Sequence, residues 1–78
     1  MKTCRVEVQP GQVWKHWKGA MYRIIAVAID EETHGVRIVY QGEVDGKVWD
    51  RSLESWRRAV GKPPHEHDRF VFVRTDRS

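Results

Sequence analysis

The stretch VRIVYQGEVDGKVWDR, residues 36–51, decides how the chain folds. Val36, Ile38 and Tyr40 share one side and Arg37, Val39 and Gln41 the other, the period-two pattern of a half-buried strand. Asp45-Gly46 then offers the dipeptide of a tight hairpin turn with positive φ at both central positions, and residues 47 to 51 return as its paired strand. An antiparallel hairpin at mid-chain makes the expected fold mainly β.

The segments on either side extend that pattern. MYRIIAVAI, residues 21 to 29, is apolar on both parities except at Arg23 and rich in β-branched residues, so it reads as a central strand, bent or covered on both faces. The polar reversal DEETHG, residues 30 to 35, closes on a glycine. Upstream, TCRVEV, residues 3 to 8, alternates strictly and is expected to form a first strand. Pro10-Gly11 punctuates the chain, a short strand follows over residues 12 to 17, and Lys18-Gly19-Ala20 makes a turn.

Downstream of the hairpin, Ser52 stands as an N-cap before Leu53, with Glu54 in the first turn. Leu53, Trp56 and Val60 follow at helical spacing, then Arg57 and Arg58 near the end and Gly61 as the stop. This predicts one short helix of about two turns. Pro63-Pro64 forces an extended connection into a last strand over residues 69 to 74, where Phe70 and Phe72 share a face. Residues 75 to 78 are expected to fray. The sum is a small SH3-like, strongly bent antiparallel β-barrel with one short helix before the last strand, in which residues 1 to 78 form a single domain. An OB-type barrel needs longer strands and a helix between the third and fourth, an order absent here.

Composition limits the function. At 78 residues there is room for one modest core and little for spare catalytic apparatus. The four tryptophans imply large buried side chains, and the single cysteine, Cys4, excludes an internal disulfide and any multi-cysteine zinc site. MKTCRVEVQ lacks the apolar stretch of a signal peptide, and no apolar run approaches a membrane span, so a cytoplasmic location without membrane contact is expected. The formal charge of +3 permits an anionic partner, and nine arginines among the 14 basic residues favour bidentate contacts to carboxylate or phosphate.

From Gly11 to Val60 the chain resembles a bacterial and phage-associated family known as domain-of-unknown-function family 1653. The residues that carry the resemblance are Gly11, Trp14-Lys15-His16-Trp17-Lys18-Gly19, Tyr22-Arg23-Ile24, Glu32-Thr33, Val39-Tyr40-Gln41, and Val48-Trp49-Asp50-Arg51 ahead of Leu53 and Trp56. Ser52 stands where the family usually has proline, and His34-Gly35 alters the turn after Glu-Thr. The resemblance implies a fold and a set of special positions, but no activity.

Those positions contain the ingredients of a site for an anionic, planar ligand. Lys15, His16, Trp17 and Lys18 join Tyr22, Arg23, Tyr40, Trp49 and Arg51 from neighbouring strands, because aromatic faces stack bases and cationic heads take phosphate. Alternation places Trp14 and His16 on one side and Lys15 and Trp17 on the other, so one tryptophan is expected inside and its partner outside. The competing reading makes Trp14, Tyr22, Trp49 and Trp56 ordinary core or rim. Glu32 and Thr33 either accept a ligand hydrogen bond or stabilise their own turn. His65 and His67 of HEHD lack a third ligand at diagnostic spacing, so they read as linker and no metal is expected. No nucleophile with a supporting partner stands out, and no cofactor motif is present. The expectation is a non-catalytic binding module for a nucleotide or nucleic acid. The alternatives are a homo-oligomeric small-molecule sequestering or sensing protein, or a protein-interaction module, either of them compatible with a phage origin.

Overall fold

A computed structural model describes residues 7–61 and 66–76. In chain order its elements are β1 (Gln12–His16), β2 (Met21–Ile29), β3 (Val36–Gly42), β4 (Val48–Ser52), helix α1 (Leu53–Arg57), β5 (Ala59–Val60), β6 (His67–Asp68) and β7 (Phe70–Thr75). Five strands form one antiparallel sheet in the order β4-β3-β2-β1-β7, and β5 pairs with β6 separately. This is the expected small, bent, mainly β fold with a short helix before the last strand. Among the described residues the edge strands β4 and β7 do not pair with each other, so no continuous ladder closes the barrel.

The hairpin pairs as its alternation predicts, with Tyr40 opposite Trp49 and Ile38 opposite Arg51. Its turn is looser than the expected two-residue form. Gly46 N–H donates to Gly42 O, Gly42 N–H donates to Lys47 O, and the Asp45 carboxylate accepts from Lys47 N–H. Because the Asp45 side chain serves as an acceptor, the loop needs positive φ at Gly46 (72°) and not at Asp45. In the β2–β3 turn the left-handed residue is His34, at φ 63°, in place of the glycine after it.

Two bulges explain why β2 is apolar on both parities and why the sheet rolls. Ile24 faces Tyr40 and Ala26 faces Val39, which leaves Ile25 as an extra residue; Val13 faces Arg74 and Trp14 faces Phe72, which leaves Val73 extra. A bulge increases local twist and bends its strand. The effect is visible across the sheet. Phe70 on β7 and Tyr40 on β3 lie three strands apart, roughly 14 Å in a flat sheet, yet their ring centres are 5.9 Å apart. Of the two alternatives for β2, bent or covered on both faces, the bent one holds: the strand bulges at Ile25, and Ile24 is buried while Ile25, Val27 and Ile29 are exposed.

The inner face of the rolled sheet holds the core of Val8, Trp14, Ile24, Ile38, Tyr40, Trp56 and Phe70. Trp56, delivered by α1, fills its centre: it stacks on Phe70 with ring centres 3.7 Å apart and meets Trp14 and Tyr40 edge-on. Gln12 is buried at the margin. Its Oε1 accepts from Gln9 N–H and from the Trp14 indole, and its Nε2 donates to Glu7 O. Every polar atom of that amide is thereby satisfied, as burial demands.

Several expectations are corrected. Glu7 and Val8 are not in a strand, and the rest of the proposed 3–8 strand, with Cys4, lies outside the described residues. The helix is shorter than two turns. Ser52 caps it by accepting from Ser55 N–H, as expected, but Arg58 is already extended, and Val60 pairs with His67 in β5–β6. Strand pairing thus claims the residues that helical spacing had assigned to the last turn. His67 and Asp68 are strand and not linker; Pro63-Pro64 and His65 fall outside the described residues. Fraying is contradicted at the first two tail positions. Thr75 pairs with Gln12, and Asp76 N–H donates to Gly11 O. No helix among the described residues is long and apolar enough to cross a membrane.

Candidate functional site

On β1, alternation directs His16 to the same face as Trp14, and the ladder sets it opposite Phe70. The imidazole sits 5.0 Å from the Phe70 ring, 6.4 Å from Tyr22 and 5.8 Å from Trp17, centre to centre. Tyr22 in turn meets Tyr40 edge-on at 5.2 Å. Electrostatically favoured edge-to-face contacts link His16, Phe70, Tyr22 and Tyr40, with Trp17 tilted against His16, into one aromatic cluster, half-buried at His16 and Tyr22.

Arg51 reaches into this surface from β4. Its Nε donates to the Tyr40 hydroxyl (3.3 Å), its Nη1 donates to Ser55 Oγ (2.8 Å), and its guanidinium lies 5.8 Å from the Phe70 ring centre. Lys18 stands over Trp17, with Nζ 5.3 Å from the ring centre. Burial, then the charges of Arg51, Arg69 and Lys18, hold the His16 imidazole below its ordinary pKa of 6.5. Its Nδ1 accepts from Lys18 N–H, which puts the proton of the neutral ring on Nε2.

None of the three cations around His16 is paired with a carboxylate among the described residues. Arg51 is held by neutral hydroxyls. Among the described residues the buried Arg69 Nε finds no hydrogen-bond acceptor, and neither does the indole N–H of Trp56. An uncompensated positive field over aromatic faces is suited to an anion with a planar part.

Of the residues picked out from the sequence, His16, Trp17, Lys18, Tyr22, Tyr40 and Arg51 come together here. Trp49 sits opposite Tyr40 on the inner-face side of β4 and is 49% exposed, so it is rim and not core. Trp14 is buried and Trp17 exposed, the division that alternation predicts. Lys15 and Arg23 do not join them. Both belong to the outer face, where Lys15 lies opposite Met21 and Val71, and Arg23 is bound by Asp76 (2.9 Å) and Glu43 (3.4 Å). They are next to His16 and Tyr22 in sequence and, for that reason, on the other side of the sheet.

Glu32 and Thr33 are also elsewhere, in the β2–β3 turn. Asp30 Oδ1 accepts from both of their backbone N–H groups, bonds that hold its carboxyl below the ordinary carboxylate value, and Thr33 Oγ1 accepts from Gly35 N–H. The turn's own side chains use this polar chemistry. Thr33 also lines an open hollow with Arg37, Leu53 and Glu54, apart from the aromatic surface. Sequence reasoning missed Phe70, Arg69 and Ser55. Phe70 was visible as an inward-facing strand residue, but its meeting with Tyr40 depends on the roll of the sheet.

Three comparisons with known proteins bear on this arrangement. The family model described as protein of unknown function (DUF1653) matches residues 12–72. A crystal structure of a DUF1653 protein from Bordetella bronchiseptica is similar at a TM-score of 0.73 and 27% identity, over 92% of this chain and 95% of that one. No curated protein matches.

Proposed function

The chain belongs to the family of proteins of unknown function DUF1653, and we propose that it is a non-catalytic cytoplasmic binding module for a phosphate-bearing planar ligand, a nucleotide or a nucleic acid. The observation that carries this reading is the set of cations around His16. Lys18, Arg51 and Arg69 bear on one imidazole, none is paired with a carboxylate among the described residues, and that imidazole lies against the half-buried Tyr22 ring and the exposed Trp17 ring. Aromatic faces accept bases of any sequence, and guanidinium groups match phosphate oxygens bidentately. A nucleotide combines both chemistries.

The test is a tryptophan-fluorescence titration with a mononucleotide and with an oligothymidylate at salt on the order of 50 and 200 mM. Binding that weakens as salt rises, and weakens further in Arg51→Met, is the expected result. If neither ligand binds at the lower salt, the reading fails.

A further inference from the structure

Resting on that reading of the site, we infer that the ligand is a single strand of nucleic acid several nucleotides long, gripped at two bases by Trp17 and Trp49. Tryptophan is the largest apolar side chain and is normally covered, so its exposure on a small domain calls for a partner. Trp17 is 46% exposed and Trp49 is 49% exposed, while Trp14 and Trp56 are buried. Between the two exposed indoles runs a row of rings: Trp17, which also meets His67 at 5.4 Å, belongs to the row, and Trp49 lies one strand beyond its last ring. Trp17 touches His16, His16 touches Tyr22, Tyr22 touches Tyr40, and Tyr40 faces Trp49 across the β3–β4 ladder.

The cations are distributed along the same row. Lys18 is over Trp17 at one end, and Arg51 holds the Tyr40 hydroxyl near the other. A mononucleotide has one base and fills one end. A strand carries a phosphate beside each base, and the row places a cation near each exposed indole, Lys18 at Trp17 and Arg51 two residues along β4 from Trp49. Stacking on exposed indoles requires unpaired bases, because a duplex keeps its base faces covered by their neighbours. The chemistry of recognition is therefore base-face stacking plus phosphate pairing, with little dependence on sequence.

The test measures affinity for thymidylates of one, three, six and nine nucleotides and for a duplex of the longest length, using the intact chain and the Trp17→Ala and Trp49→Ala variants. Both substitutions are at exposed positions, and far-ultraviolet circular dichroism verifies that each variant is folded. The expected result is affinity that climbs with length and falls about tenfold in either variant for the longer strands, with Trp49→Ala, which lies away from the His16 cluster, sparing the mononucleotide. Preference for the duplex, or affinity independent of length, overturns the two-base grip and leaves the mononucleotide reading standing. Absence of binding at every length overturns both.

Discussion

The two faces of the same sheet handle positive charge in opposite ways. On the outer face each arginine has a carboxylate: Arg23 and Arg74 share Asp76, and Arg37 is paired with Asp50. Asp76 is held below, and Arg74 above, its ordinary pKa chiefly by the hydrogen bond between them. On the inner face Arg51 donates to the hydroxyls of Tyr40 and Ser55 and has no carboxylate partner among the described residues, and His16 is pushed toward neutrality by burial and by its cationic neighbours. Charge is neutralised beside exposed aliphatic residues such as Val48 and Val71 on the outer face, and is left without a carboxylate, among the described residues, beside aromatic rings on the inner one. The contrast separates the two sides of a sheet whose sequence distributes arginines to both, and the proposed binding function rests on the inner one.

The contrast can be broken by force or sharpened by degrees. The largest effect is expected from Trp56→Ala, which removes the stacked centre of the inner face and costs about 3–5 kcal/mol in chemical denaturation. A smaller loss would mean that Phe70 and Tyr40 collapse into the space. Next in size is the difference between arginines. Arg51→Met lowers affinity for a phosphate-bearing ligand about tenfold or more, whereas Arg37→Met leaves it unchanged, and equal losses would erase the distinction between the faces.

Gly11→Ala is expected to destabilise by about 1–2 kcal/mol, measured by the same denaturation. Gly11 holds φ 89°, and a Cβ there meets Asp76 O at 3.1 Å, where the outer-face network joins the first strand. The smallest effect is a pH dependence. The folded-state pKa of His16 lies below the unfolded value, so the unfolded chain takes up the proton first as pH falls. The associated stability is fully present above pH 6.5 and is lost as pH falls from there through the lowered folded value. The stability of the native chain relative to His16→Gln should fall as pH drops through that window, and a constant difference would rule out the lowered pKa that burial and the cations give His16.

Local patterns in the sequence specified much of this. Alternation at Val36, Ile38 and Tyr40 gave the hairpin its faces, and alternation at Trp14 and Trp17 separated the buried indole from the exposed one. Where those patterns misled, a non-local contact had intervened. Val60 satisfied a helical period but found a strand partner in His67, and the end of the chain looked unsupported because Asp76 is secured by Gly11 and Arg23, far upstream. The grouping of Lys15 with His16 and of Arg23 with Tyr22 followed adjacency in sequence, which in a strand means opposite faces. Phe70 entered the site through curvature, a property that no single strand's pattern records.

That curvature has an unusual bookkeeping. At Ile25 and Val73 the chain contains one residue more than its partner strand can pair, and both surplus side chains face solvent. Deleting Ile25 would leave Ile24 opposite Tyr40 and Ala26 opposite Val39, keep every side chain on its present face, and yet straighten the strand. The shape of the aromatic surface is therefore adjustable by chain length alone. A shortened strand would test whether that surface can be reshaped without changing a single residue in it.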